Sequence, residues 1–158
     1  MDRRAWVGVQ STESIDFSEA VPWKVTVIFF NSGRSPARNV QSSLMYQTSP
    51  VPLSGPSAET IARLHFRPAQ SIAPQATYHQ HLGSYTPSEA STPDQVQGAN
   101  ESISEYPYIK NRKLFLYYFG ILKYDDIFGN HRETQFCIYL ANPDTKEVGF
   151  CDSFNDLN

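Results

Sequence analysis

Long hydrophobic runs and charged residues are both scarce in this chain, and each scarcity excludes a class of protein. No window approaches the ~18 consecutive apolar residues of a transmembrane helix, and residues 1–6 lack the apolar centre of a signal peptide. Charged residues make up 18% of the sequence, and the formal net charge is −3. A chain with a small negative net charge does not attract the phosphate backbone of a nucleic acid, so we expect no nucleic-acid partner. The missing apolar run predicts a soluble chain.

Cysteine is scarce as well, since Cys137 and Cys151 are the only two. This number is too small for a disulfide scaffold, and the spacing of 14 residues matches no paired zinc motif. Two alternatives stay open. The two residues form a disulfide, which requires an oxidising compartment and adds about 3 kcal/mol of stability, or they are buried free thiols. The cellular compartment, oxidising or reducing, stays open for the same reason.

Aromatic residues and prolines are plentiful, with ten Phe, nine Tyr and 11 Pro. This composition favours strands joined by turns over helices. The length of 158 residues fits one domain, residues 1–158. Alternating or continuous apolar patterns predict seven strands, over residues 5–10, 21–31, 39–46, 76–82, 114–124, 133–140 and 148–151. The predicted fold is therefore an all-β, immunoglobulin-like antiparallel sandwich with one or two short helices in its loops.

Three segments outside the predicted strands carry predictions of their own. Residues 57–66 are compatible with a short helix or a strand, and Ser57 as a helix cap favours the helix. Residues 84–107 are rich in Ser and Pro and predict a long loop with a short helix near residues 93–97. Residues 152–158 predict a polar C-terminal tail.

The turn between the two strongest strands has a chemistry of its own. Either Asp125 or Asp126 is expected to accept backbone N–H bonds, and Gly129 supplies a positive φ. We expect Phe128 to fold back onto the sandwich. On this interpretation the turn is a signature of the fold.

Four blocks of sequence resemble a known bacterial domain. They are residues 4–9 (RAWVGV), 27–40 (VIFFNSGRSPARNV), 124–131 (YDDIFGNH) and 134–137 (TQFC). Together they resemble the C-terminal immunoglobulin-like domain of uncharacterised bacterial proteins that carry a transmembrane helix upstream. The resemblance implies a place beside a membrane, although the present sequence contains no such helix. It implies no catalytic residue and no cofactor.

A metal site is the sharpest chemical hypothesis that the residues allow. His79 and His81 are two apart, so on a strand both project from one face. Zinc needs a third protein ligand, which His65 or His131 would have to supply from elsewhere. The alternative is two exposed strand histidines and a turn rich in Asp and Asn. The candidate ligands are His79, His81, His131, Asp125 and Asp126.

These patterns favour a non-catalytic protein-interaction or structural module associated with the bacterial envelope. No nucleophile elbow or oxyanion loop accompanies the carboxylates and histidines, so we expect no enzyme activity and no cofactor. The expected partner is another protein, contacted through residues 84–107. The competing hypothesis is a metal-dependent enzyme or sensor built on the five candidate ligands.

Overall fold

The strands form two antiparallel sheets that face each other in a computed structural model, which describes residues 4–16, 18, 23–83 and 92–156. One sheet has the order β1-β2-β5, and the other has the order β4-β3-β6-β7-β8. The prediction of an all-β antiparallel sandwich is confirmed. The strands are β1 (Val7–Asp16), β2 (Lys24–Asn31), β3 (Arg38–Ser49), β4 (Arg67–Pro68), β5 (Thr77–Gly83), β6 (Phe115–Asp125), β7 (His131–Asn142) and β8 (Glu147–Phe150). The helices are α1 (Ala58–Ala62) and α2 (Pro93–Lys110).

β2 is the central strand of the smaller sheet, as its alternating pattern predicts. The four residues of its predicted inward face are at most 1% exposed: Trp23, Val25, Val27 and Phe29. The Phe29 ring meets Phe136 of β7 edge to face, with centroids 5.6 Å apart. Burying side chains of this size stabilises the fold by about 1.5–3 kcal/mol each, so this contact between the sheets is a main source of stability.

The core between the sheets has two parts, one towards each end of the sandwich. The part near the β6–β7 turn includes Leu122 and Tyr124 of β6. The hydroxyl of Tyr124 accepts the N–H of Val7 at 3.1 Å, which ties the two sheets together. The other part contains Trp23 together with Ile109 of α2, so the last turns of this helix close the opposite end.

Residues 57–66 were compatible with a helix or a strand, and the structure contains the helix. Ser57 caps α1, and its hydroxyl accepts the N–H of Thr60 at 3.2 Å. The two-residue strand β4 follows shortly afterwards and accounts for the eighth strand. The capping pattern therefore outweighed the alternating apolar residues.

The predicted long loop at 84–107 is wrong over its second half, because α2 runs from Pro93 to Lys110 and includes Pro107. The sequence hid this helix because its contact with the core is made chiefly by its last two turns, through Ile109 and Tyr106. It ends in a Schellman motif, in which Arg112 N–H donates to Ile109 O and Lys113 N–H donates to Tyr108 O. Residues 84–91 lie outside the described part.

A third apolar cluster covers the outer face of the larger sheet. The structure joins Cys137 of β7 to Cys151 by a disulfide, with Cα atoms 5.4 Å apart. The predicted polar tail is ordered as far as it is described, because Cys137 N–H donates to the Asn155 side chain at 2.9 Å. Phe154 packs against the cluster. The tail thus forms part of the sandwich surface.

Candidate functional site

The candidate metal ligands are divided between the two sheets. His79 and His81 lie on β5 of the smaller sheet, where His81 Nδ1 is 2.9 Å from the hydroxyl of Thr26. The other three candidates flank the β6–β7 turn of the larger sheet. Within the described residues, which include all five candidates, no group of three or more His, Cys, Asp or Glu could hold a metal ion. The predicted ligand set is therefore not assembled.

The β6–β7 turn is built around the buried side chain of Asp126. Its Oδ1 accepts the backbone N–H of Phe128 at 2.9 Å and that of Asn130 at 3.0 Å. The side-chain amide of Asn130 donates to both carboxylate oxygens, and Arg132 lies 3.4 Å from Oδ2. Gly129 adopts φ +78°, as predicted. The predicted Asx-type turn is therefore present, with Asp126 as the acceptor.

The hydrogen bonds also determine the charge of Asp126. Burial alone would raise the pKa of this carboxyl group. The donors from the Asn130 side chain, the two backbone N–H groups and Arg132 together outweigh burial and lower the pKa below its ordinary value. The carboxylate is therefore ionised at neutral pH and holds the turn in one conformation.

The turn exposes two adjacent apolar side chains. Phe128 is 64% exposed and Ile127 is 39% exposed. The prediction that Phe128 folds back onto the sandwich is wrong, because the carboxylate of Asp126 occupies the inside of the turn and leaves the ring outside. We call Ile127 and Phe128 the hairpin tip.

A row of three polar side chains lies beside the hairpin tip. Asn39 Nδ2 donates to Asp125 Oδ2 at 2.7 Å, and Asp125 Oδ1 is 2.6 Å from Nδ1 of His131. The bond from Asn39, and after it the bond with His131, lowers the pKa of Asp125. Asn39 has φ +48°, a conformation that Asn tolerates better than most residues. The side chain of His131 is 92% exposed.

These three residues line an open groove of about 510 Å³. The other lining residues are Gln41, Lys123, Tyr124, Arg132 and Glu133. Asp125 and His131 do form the pair that general acid–base chemistry would use, but the described residues of the lining include no Ser, Thr or Cys nucleophile. Positive and negative charges balance along the groove. Its chemistry suits recognition of a polar surface.

Sequence reasoning missed Asn39 and misread Phe128. Asn39 lies 86 residues from Asp125, and no local pattern marks the pairing. The sequence did contain a weak indication that the hairpin tip is exposed, because two consecutive apolar residues in a short turn cannot both point inward. Neither residue belongs to the five candidate ligands.

Comparison with known proteins finds no matching family model, no matching curated protein and no matching solved structure. No helix among the described residues is both long enough and apolar enough to cross a membrane.

Proposed function

We propose that this chain is a non-catalytic protein-binding module of immunoglobulin-like type, and that its hairpin tip inserts into an apolar pocket of a partner protein. The observation that carries the proposal is the 64% exposure of Phe128 at the end of a rigid turn. The resemblance of residues 124–131 to domains of bacterial membrane-anchored proteins supports a place in the bacterial envelope. The hairpin tip replaces residues 84–107 as the proposed contact surface.

The rigidity of the turn favours binding. Ordering a loop on association costs free energy, and a turn that is already ordered avoids this cost. The ionised carboxylate of Asp126 holds two backbone N–H groups of the turn, and Arg132 links the turn to the ring of Trp6, with its guanidinium 5.6 Å from the ring centre. The ring of Phe128 is therefore presented in a defined direction.

The groove supplies the rim of the proposed interface. Interfaces commonly surround an apolar anchor with polar groups. Here Lys123 and Arg132 offer positive charge, while Asp125 and Glu133 offer negative charge. Because these charges balance, the surface does not favour anionic lipid headgroups, which bind to clusters of basic residues. A protein with a polar rim is the better match.

The test compares two variants of equal exposure. Phe150 of β8 is 61% exposed and serves as the control for Phe128. Wild-type protein, Phe128→Ala and Phe150→Ala are immobilised, and proteins retained from a lysate of the source organism are quantified by mass spectrometry. The binding of any partner is then measured with purified components by calorimetry. We expect Phe128→Ala to weaken binding about tenfold, since it removes most of the apolar surface that the partner would bury.

The control variant decides the interpretation. Phe150→Ala is expected to bind as tightly as the wild type. A partner that binds Phe128→Ala with unchanged affinity would contradict the proposal, and so would a partner lost equally from both variants. Binding of the wild type to anionic vesicles, with no protein partner retained, would overturn it in favour of a lipid surface.

A further inference from the structure

The smaller sheet ends at β5, and no strand among the described residues pairs with the outer edge of this strand. Asn31 N–H donates to Ala76 O, which fixes the alternation of the antiparallel pairing between β2 and β5. Tyr78, Gln80 and Leu82 therefore direct their backbone groups towards β2. The N–H and C=O groups of His79 and His81 are directed away from it. Among the described residues, none forms a strand on that side.

Three features that commonly protect an edge strand, namely proline, lysine and a bulge, are absent from β5. Its seven residues contain no proline and no lysine. Its pairing with β2 continues from Gly83 to Thr77 without a bulge. Edge strands of this kind are templates on which another strand can pair. A regular edge without these features is the first requirement for binding by strand addition.

A cleft of about 400 Å³ runs beside this edge. β5 lines one side of it, and residues 42–45 of β3 line the other. The connection from α1 to β4 contributes Arg63, Leu64 and His65, and β4 itself contributes Arg67. The described residues of the lining therefore include two arginines and two histidines, and none of these described residues is acidic. Arg63 is paired at 2.6 Å with Glu59, an exposed residue that is not part of the lining.

The side chain of Gln80 gives a second indication of a ligand. Its Oε1 is buried and has no hydrogen-bond partner within the described part of the chain. Gln80 itself lines the cleft. A buried acceptor of this kind costs stability unless a donor reaches it. A bound segment with a donor group in the cleft would satisfy Oε1 once the Gln80 side chain turned towards the cleft.

We propose that an extended, acidic segment of a partner protein binds to β5 as an additional strand of the smaller sheet. Its backbone pairs with the outward groups of His79 and His81. Its acidic side chains face Arg63 and Arg67, and one of its donors reaches Gln80. Strand addition supplies affinity through the backbone, and the basic lining supplies selectivity for acidic sequence. This surface is separate from the hairpin tip, so it stands whether or not the hairpin binds a partner.

The probe is a blocked octapeptide of alternating glutamate and valine, and the control probe has lysine in place of glutamate. Each is titrated into ¹⁵N-labelled protein and followed by two-dimensional NMR. We expect saturable shifts on β5 and around the cleft with the glutamate peptide, and about tenfold weaker binding of the lysine peptide. The absence of saturable shifts, equal binding of both peptides, or shifts confined to the hairpin tip would overturn the proposal.

Two pairs of variants separate backbone from charge. His79→Pro removes an outward N–H group without removing a hydrogen bond to β2, and we expect it to abolish binding of the glutamate peptide. His79→Ala keeps this N–H group, and we expect it to bind the peptide within about twofold of the wild type. Arg67→Glu is expected to weaken binding about tenfold. Lys113→Glu, an exposed charge reversal outside the cleft, is its control.

The second pair keeps the test decisive if His79→Pro does not fold. Dispersed NMR resonances establish folding for each variant before titration. A folded His79→Pro variant that binds the glutamate peptide like the wild type would refute strand addition. Equal loss of binding in Arg67→Glu and Lys113→Glu would refute the role of the cleft.

Discussion

Replacing Asn31 tests how the turn between β2 and β3 is held in place. Asn31 is fully buried. Its Nδ2 donates to the carbonyl oxygens of Ser35 at 2.8 Å and Ile72 at 3.2 Å. Its Oδ1 accepts the N–H of Trp6 at 3.2 Å and that of Gly33 at 3.0 Å. Every hydrogen-bonding position of the amide is therefore used, and the side chain connects three separate segments.

The magnitude follows from what alanine would leave behind. The carbonyl of Ile72 keeps a donor, since Ala37 N–H also bonds to it at 2.9 Å. The Gly33 N–H and the Ser35 carbonyl belong to buried residues and would lose their bonds to Asn31. Each buried polar group deprived of its partner costs about 1–3 kcal/mol, so we expect Asn31→Ala to lower the free energy of unfolding by about 3 kcal/mol.

Asn31→Asp separates hydrogen bonding from charge. A carboxylate has nearly the same shape, but it would place an anionic oxygen against the carbonyls of Ser35 and Ile72. The two N–H groups at Oδ1 favour the ionised form, but burial and the two carbonyls that face the other oxygen outweigh them. We therefore expect the pKa of the new carboxyl group to rise on folding. The folded variant then holds more protons than the unfolded one, and its stability falls as the pH rises above about 4. Asn31→Ala has no carboxyl group at this position, so the difference in stability between this variant and the wild type should not change with pH.

Urea unfolding followed by circular dichroism and tryptophan fluorescence measures both effects. The wild type and the two variants are compared from pH 3 to pH 8, chosen as about one unit below the unfolded carboxyl pKa to well above it. A loss of less than about 0.5 kcal/mol in Asn31→Ala, the scatter of ordinary surface substitutions, would refute the reasoning. Stability of Asn31→Asp that rises with pH relative to Asn31→Ala would refute the predicted direction of the pKa change.

Three further predictions concern other parts of the fold. Arg112 has φ +57° at the end of α2, a conformation that glycine adopts without steric cost. Arg112→Gly should therefore raise the free energy of unfolding by about 0.5–1 kcal/mol in urea titrations, and an unchanged value would show that Arg112 is not strained. Reducing the disulfide between Cys137 and Cys151 should lower the free energy of unfolding by about 3 kcal/mol. The stability of a double variant, Cys137→Ala with Cys151→Ala, should not change when reductant is added. The lowered pKa of Asp126 means that its contribution is complete above the unfolded carboxyl pKa and is lost as the pH falls below about 4. Acid titration of Asp126→Asn should therefore show a shallower loss of stability than the wild type, and parallel curves would contradict this.

Strands with packed neighbours on both sides could be predicted from the sequence. β2 has one face that is apolar throughout, because β1 and β5 flank the strand and this face meets the larger sheet. The β6–β7 hairpin was equally clear, since two apolar arms enclose a run of turn residues. In both cases the local pattern and the tertiary environment impose the same constraint on each residue.

α2 could not be predicted in full for the opposite reason. Among the α2 residues whose side chains the structure describes, only Ile109 is buried, and Pro107 further weakens the helical pattern. Tertiary contacts near Ile109 and the Schellman motif at Arg112 fix its end. The helix is thus defined by its anchored terminus, which a search for periodicity cannot detect.

The groove beside the hairpin tip depends on strand register. Asn39 reaches Asp125 only because β3 has an irregularity between Arg38 and Gln41 that shifts its pairing with β6. A shift of one residue would move the side chain to the other face of the sheet. No single-sequence pattern determines such a shift, so the residues of the turn were predictable and their partner on β3 was not.

The two proposed surfaces use different forces, and this difference makes them separable in one experiment. The hairpin tip would bind through the apolar ring of Phe128, with balanced charges around it. The edge of β5 would bind through its backbone and through the positive charge of Arg67, since Arg63 already pairs with Glu59. Salt at about 0.5 M screens exposed charges and leaves apolar burial intact or slightly stronger. An interaction that weakens steeply with salt therefore belongs to the cleft, and one that is insensitive to salt but depends on Phe128 belongs to the hairpin tip.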